Sequence, residues 1–283
     1  MTIQPSEYHR PADWSTALAA LDRPDRSARP LFLPPRVPVE PYAGVEAVVD
    51  LSRLDLAQIK QTNESVEIGA LVPLQDLVDA PWQHDPALGI LSEAAHLSAH
   101  PGLRHLASVG GVLLARSGPP EVLLALLALE ALVVLRGAGQ AAREMPLADF
   151  LGLTHAPAGE MVAAVRFARL TGRAGGGLER VARTPRDEAI VAAAAIIEVK
   201  GGVCRRARLS LAGAGVAPRR APAAEALLEG QPLSAERIER AAAVAQAGLT
   251  FSSDLRASGD YRLAMAAVVA RRSLAAAWKS AGQ

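Results

Sequence analysis

Apolar positions recur along most of this chain in short runs set apart by proline, glycine and charged residues. Residues 88–98 (LGILSEAAHLS) carry apolar side chains at helical spacing and predict a helix. Residues 13–21 (DWSTALAAL) predict a shorter one with Asp13 as its N-cap, and 73–78 open another helical segment. Residues 121–131 read as a buried helix. Short β-branched or alternating runs predict strands at 31–33, 45–51, 66–71, 132–135 and 161–168. Gly137-Ala138-Gly139 turns one of these back, so 141–145 is expected as the return strand of a hairpin.

Residues 170–177 (LTGRAGGG) hold no apolar run and read as a linker. Beyond them, 187–195 is a helix or a buried strand, because periodicity alone does not separate the two. Residues 196–200 alternate as a strand, and 205–212 are its hairpin partner. Residues 222–228, 234–247 and 261–279 read as helices, with Ser234 placed to cap the second. The expected fold is therefore α+β in two parts. Residues 1–175 form the first, themselves two subdomains meeting near 55–62. Residues 176–283 form the second, a small antiparallel sheet covered by helices.

Composition narrows the function classes. At 283 residues the chain is long enough for two packed domains or a single large one, and with half its residues apolar it is no disordered chain. A formal net charge of +1 leaves no footprint for nucleic acid or an anionic membrane surface. The most apolar run, 122–135, is too short to cross a bilayer and contains Glu130. No basic stretch followed by an apolar core marks a secretory signal, so a cytoplasmic setting without a transmembrane segment is expected. The single cysteine, Cys204, excludes a disulfide framework or a cysteine-ligated cluster built on this chain alone. It follows a Gly-Gly turn in a strand-like run and reads as a structural thiol.

Candidate chemistry is sparse. His96 and His100 share an i, i+4 spacing, but Pro101 biases His100 out of the helix and no carboxylate motif accompanies the pair. Ser117 lacks the glycine pattern of a nucleophile elbow. Asp254, Arg256, Asp260 and Arg262 read as a capping and salt-bridge cluster. No catalytic residue and no metal site is evident. One feature remains, Ser108-Val109-Gly110-Gly111-Val112. Adjacent glycines allow close approach to a ligand, and their N–H groups suit an anion.

Taken in order, several segments resemble the FAD-binding medium subunit of the molybdenum hydroxylases, the family of carbon monoxide and xanthine dehydrogenases. They are Val48-Val49-Asp50-Leu51-Ser52, the 103–113 loop, Pro146-Leu147-Ala148-Asp149-Phe150 and Ala158-Gly159-Glu160-Met161. Further on, Arg186-Asp187-Glu188-Ala189, Ala212-Gly213-Ala214-Gly215 and Ser253-Asp254-Leu255-Arg256-Ala257-Ser258 with Tyr261-Arg262 complete the series. The resemblance implies an oxidoreductase subunit that carries FAD between two subdomains. It also implies an iron–sulfur subunit and a molybdopterin subunit as partners. Two glycine-rich loops hold the flavin's pyrophosphate in that family, and they fall here at Leu33-Pro34-Pro35-Arg36 and Ser108–Val112.

The chain departs from the pattern at both loops. Pro34 and Pro35 stand where the family has glycines, and proline has no N–H to donate. Ser108 keeps the hydroxyl of the family threonine, whereas Val112 replaces an asparagine. Glu121 stands for an aspartate, Arg180 for a lysine, and Asp187 matches the family's residue. Arg36 and Arg104 bring charge to the same regions. Two expectations follow. One is an electron-transfer flavoprotein subunit that passes electrons from iron–sulfur clusters through FAD to an acceptor. The other is a flavin-free relative that serves as a structural or docking subunit.

Overall fold

The structure is a computed structural model. It describes residues 5–22, 27–32, 34, 44–115, 120–137, 141–154, 157, 159–170, 172–185 and 187–282. The elements begin with β1 (Glu7–His9), α1 (Trp14–Leu21), β2 (Ala28–Pro30), β3 (Ala47–Val49), β4 (Ile59–Gln61) and β5 (Ser65–Gly69). Next come α2 (Leu74–Val78), α3 (Gly89–Ser98), α4 (Pro101–Arg104), α5 (Val109–Ala115), α6 (Glu121–Ala128), β6 (Leu132–Gly137), β7 (Arg143–Pro146) and α7 (Leu147–Gly152). The chain continues through β8 (Glu160–Ala168), β9 (Arg173–Val181), β10 (Val191–Lys200), β11 (Val203–Gly213) and β12 (Val216–Arg220). It closes with α8 (Pro222–Ala226), α9 (Ala235–Gln246) and α10 (Gly259–Ala281).

These elements form an α+β fold of two compact units. The first comprises residues 1–74, 102–116 and 131–167. It holds a three-stranded sheet in the order β1-β3-β2, parallel throughout, and a five-stranded sheet in the order β4-β5-β8-β6-β7. The central strand β3 is buried along its length, as a parallel strand covered on both faces must be. Asp13 caps α1 as expected, its carboxylate accepting the Thr16 N–H at 2.8 Å. The strand anticipated at 31–33 forms earlier, over β2, and continues only through the Leu31 N–H to the Val49 carbonyl at 2.8 Å. Pro30 is tolerated because β2 is an edge strand. The β6–β7 hairpin forms with Leu132 opposite Pro146, matching the predicted turn back.

The second unit comprises residues 75–101, 117–130 and 168–283 and is built on an antiparallel sheet in the order β12-β11-β10-β9. Val191, Ala193, Ala195 and Ile197 of β10 face a core shared with α9 and α10, while α6 packs on the same sheet through Leu124 and Ser210. Burial on both faces explains why the 187–195 stretch was ambiguous between helix and strand; it is a strand from Val191 onward. Ser234 caps α9, accepting the Arg237 N–H at 3.2 Å, and Ser258 caps α10 in the same way.

The linker expected at 170–177 is corrected. Gly175, Gly176 and Gly177 lie inside β9, where their missing side chains let α10 and the segment around Ala87 approach the strand's two faces. The polar cluster before α10 forms as read: the Arg262 guanidinium is 1% exposed, grips Asp254 and donates to the Ile190 carbonyl at 2.8 Å.

Glu130 is the only described residue besides glycine with a positive φ, 53°. Its carboxylate meets Arg206 at 3.0 Å, Arg208 at 2.7 Å and Arg220 at 2.8 Å. Burial pushes its carboxyl up, but the Arg208 hydrogen bond and the three guanidinium charges outweigh this and hold it below the ordinary 4.5. A depressed carboxylate stabilises fully above its unfolded value and stops doing so as the pH falls through its folded one. Glu130→Gln should therefore melt lower than the parent near neutral pH, and the gap should close as the pH falls below the ordinary 4.5. Melting temperatures across that range check this.

Candidate functional site

In the first unit, β2 ends at Pro30 and the chain goes on through Leu31 and Phe32 toward the first loop singled out in the sequence. Pro34 is half-buried; Leu33, Pro35 and Arg36 lie outside the described residues. The second loop is no loop. Residues from Val109 onward are α5, and neither Gly110 nor Gly111 takes a positive φ, so the open turn expected there is corrected to a helix start. The reason is a set of backbone partners remote in sequence. The Val109 N–H donates to Val72 at 3.1 Å and the Gly110 N–H to Ala70 at 2.7 Å, while Leu74 donates to Ala107 at 2.9 Å. Ser108 acts as the cap, its hydroxyl accepting the Gly111 N–H at 3.2 Å.

Gly110 faces the Phe32 ring, where a Cβ would come within 2.6 Å of it. Phe32 thereby joins the two regions that the sequence offered separately. Beside them lies a cleft of about 450 Å³, a volume within the usual range for small-molecule sites. Leu18, Phe32, Leu114, Leu135 and Met161 form its apolar walls, and Arg29 stands at its rim. Neither Phe32 nor Leu114 was singled out from the sequence. No local signal marks them, since their roles depend on contacts made across the unit.

The other candidate residues lie in the second unit. Glu121 opens α6 and is fully buried; Arg180 on β9 donates to its Oε1 at 2.9 Å. Burial raises the Glu121 carboxyl above its ordinary value, and the Arg180 charge offsets this only in part. Among the described residues its Oε2 has no hydrogen-bond partner. Arg180 also donates to the carbonyls of Asp187, at 3.0 Å, and of Pro185, so Asp187 meets Arg180 through its backbone. The Asp187 carboxylate instead accepts from Arg183 at 2.6 Å, which holds it below the usual range. Arg104, at the end of α4, is buried.

His96 sits in the last turn of α3, and Ala99 is already extended, so His100 does not continue that helix face. Cys204 is buried in β11, and desolvation pushes its thiol up to about 11, as suits an inert structural thiol.

A parallel three-stranded sheet beside a five-stranded one, followed by an antiparallel sheet under helices, is the arrangement of a known class of flavin-binding subunit. Residues 4–169 match the FAD-binding domain in molybdopterin dehydrogenase, and residues 178–277 match the carbon monoxide dehydrogenase flavoprotein C-terminal domain. The chain belongs to this family, the FAD-binding medium subunits of the molybdenum hydroxylases. It is 32% identical over 236 residues to subunit alpha of the 6-hydroxypseudooxynicotine dehydrogenase complex of Paenarthrobacter nicotinovorans, covering 81% of this chain and 79% of that one. It is 30% identical over 282 residues to the carbon monoxide dehydrogenase medium chain of Hydrogenophaga pseudoflava, covering 96% of each. A solved carbon monoxide dehydrogenase from Hydrogenophaga pseudoflava superposes with a TM-score of 0.86 at 29% identity, covering 99% of both chains. Among the described residues, no helix is long and apolar enough to cross a membrane.

For FAD, the cleft beside Phe32 has the size and the apolar walls that suit a planar ring.

Proposed function

We propose that this chain carries FAD as the electron-transfer subunit of a cytoplasmic molybdenum hydroxylase complex. Electrons arrive from the clusters of an iron–sulfur partner, and a molybdopterin partner performs the substrate chemistry. The observation that supports this reading best is the cleft bounded by Phe32 and Leu114, next to the ends of both loop regions. When bound, FAD supplies a carrier that accepts electrons from the partner and hands them to an acceptor.

The residues of the first unit proposed to hold it are Phe32, Leu33, Pro34, Pro35, Arg36 and the Ser108–Val112 segment; in the second unit the resemblance points to Glu121, Arg180 and Asp187. Apolar walls exclude water from a ring, and the buried Glu121–Arg180 pair offers a fixed acceptor beside a fixed positive charge. Asp187 contributes through its carbonyl, holding the Arg180 guanidinium in place.

A second reading is a flavin-free scaffold in the same complex, favoured by the absence of an N–H at Pro34. Titration of the purified chain with FAD, followed by quenching of flavin fluorescence, separates the two. Saturation at one flavin per chain is expected, and no quenching at any concentration would remove the first reading. Leu114→Trp, which fills the cleft from α5, should weaken FAD binding at least about tenfold without lowering the melting temperature.

A further inference from the structure

The stretch from Ser253 to Arg262, read from the sequence as a capping and salt-bridge cluster, reaches back to the loop between β9 and β10. Ile190 closes that loop, its N–H donating to the Val181 carbonyl at 2.7 Å. Thr184 and Pro185 within it are exposed, so apolar burial does little to fix its shape. Two arginines from the later stretch hold it by polar contacts. The Arg262 guanidinium donates to the Ile190 carbonyl at 2.8 Å, and the Arg256 guanidinium meets the Glu188 carboxylate at 2.7 Å. Asp254 ties the two together: it accepts the Arg256 backbone N–H at 2.7 Å and is gripped by Arg262.

The loop in turn holds Arg180. That guanidinium donates to the carbonyls of Pro185 and Asp187, the second at 3.0 Å, and to Glu121 at 2.9 Å. A planar, rigid fork meets all three acceptors only while both carbonyls keep their places. The Glu188 N–H donates to the Asp187 carboxylate at 2.9 Å, so what Arg256 does to Glu188 passes to the residue whose carbonyl Arg180 meets.

We infer that Arg256 and Arg262, joined by Asp254, are positioning residues: they fix the loop whose carbonyls aim the Arg180 guanidinium at Glu121. The inference rests on the reading of Glu121 and Arg180 as cofactor-binding residues, and it deepens that reading by naming what holds them. Arg256 is the one to test, since Arg262 is 1% exposed and its truncation would also damage packing.

Hydrogen exchange in the full chain, read by NMR at the Arg180 guanidinium and along the backbone, makes the test. Arg256→Ala should speed exchange at Arg180 at least about tenfold while the Ala193 and Ala195 amides of β10 keep the parent's protection. Arg256→Lys should restore most of that protection. Leu255→Ala, at an exposed position on the same turn, should leave it as in the parent. An unchanged Arg180 rate in Arg256→Ala would overturn the inference. So would an equal rise at Ala193 and Ala195, which marks general loosening, or the same rise in Leu255→Ala. Titration with FAD carries the consequence: Arg256→Ala should bind about tenfold more weakly than the parent, and Arg256→Lys nearly as well. Faster Arg180 exchange with unchanged FAD affinity would overturn the positioning role toward the cofactor alone. A parent chain that binds no FAD would overturn the cofactor reading itself.

Discussion

A single methyl group at Gly177 is expected to cost about 3 kcal/mol of stability. Its Cβ would lie 2.3 Å from the Ser273 carbonyl oxygen and 2.8 Å from the Ala277 amide nitrogen. Both are backbone atoms of α10, and backbone does not rotate aside as a side-chain tip does. Relief requires α10 to move off β9, which loosens the bond from the Ser273 hydroxyl to the Ala193 carbonyl, now 2.9 Å. Gly175 faces the same helix, with a Cβ 2.2 Å from the Ala281 nitrogen, so the two positions share one strain and their losses should not add. Gly152, at the end of α7, has no atom within 4 Å of a built Cβ and serves as the control. Gly152→Ala should be neutral or stabilise by a few tenths of a kcal/mol, roughly. Urea denaturation of the three variants measures the contrast.

The second large effect belongs to the Glu121–Arg180 pair. Removing one member of a buried ion pair leaves the other charged and desolvated, and the loss is about 3–5 kcal/mol. Glu121→Ala is expected to fall in that range, because Arg180 is only 9% exposed and would keep just its two carbonyl acceptors. Removing both charges is different. Glu121→Leu combined with Arg180→Met should recover most of the loss, since no charge then remains buried without a partner. A double-mutant cycle read by denaturation separates pair from residue. If Glu121→Ala alone were neutral, the pair would be solvated and the buried carboxylate would not be a fixed acceptor for any ligand.

Where a residue's partner is close in sequence, its role was legible. Ser234 caps α9 from three residues away, and β6 pairs antiparallel with β7 as a hairpin at this place in the sequence requires. Where the partner is distant, local signals misled. Three consecutive glycines at 175–177 signal looseness to any window a few residues wide, yet they make β9 the strand on which a helix from the end of the chain lies. Gly110 and Gly111 likewise suggested a bend for a ligand. The actual neighbours of Gly110 are Phe32 and Ala70, neither of which a local pattern connects to it. At 187–195 the ambiguity was physical, because a strand buried on both faces has no polar side to betray its period. Family membership was legible by another route, the order of many individually weak segments, and it extends over both parts of the chain.

Pro34 shows how far that route reaches. Resemblance places a flavin loop there, and chemistry removes its N–H. The cleft beside it keeps the walls that a ring needs, with Phe32 seated on Gly110 and Leu114 one turn further along α5.

The visible absorption spectrum of the complex, purified with its partner subunits, tests the central claim most directly. The account predicts flavin bands whose intensity corresponds to one FAD per copy of this chain. An intact complex with no flavin bands, unchanged after incubation with excess FAD, would contradict it.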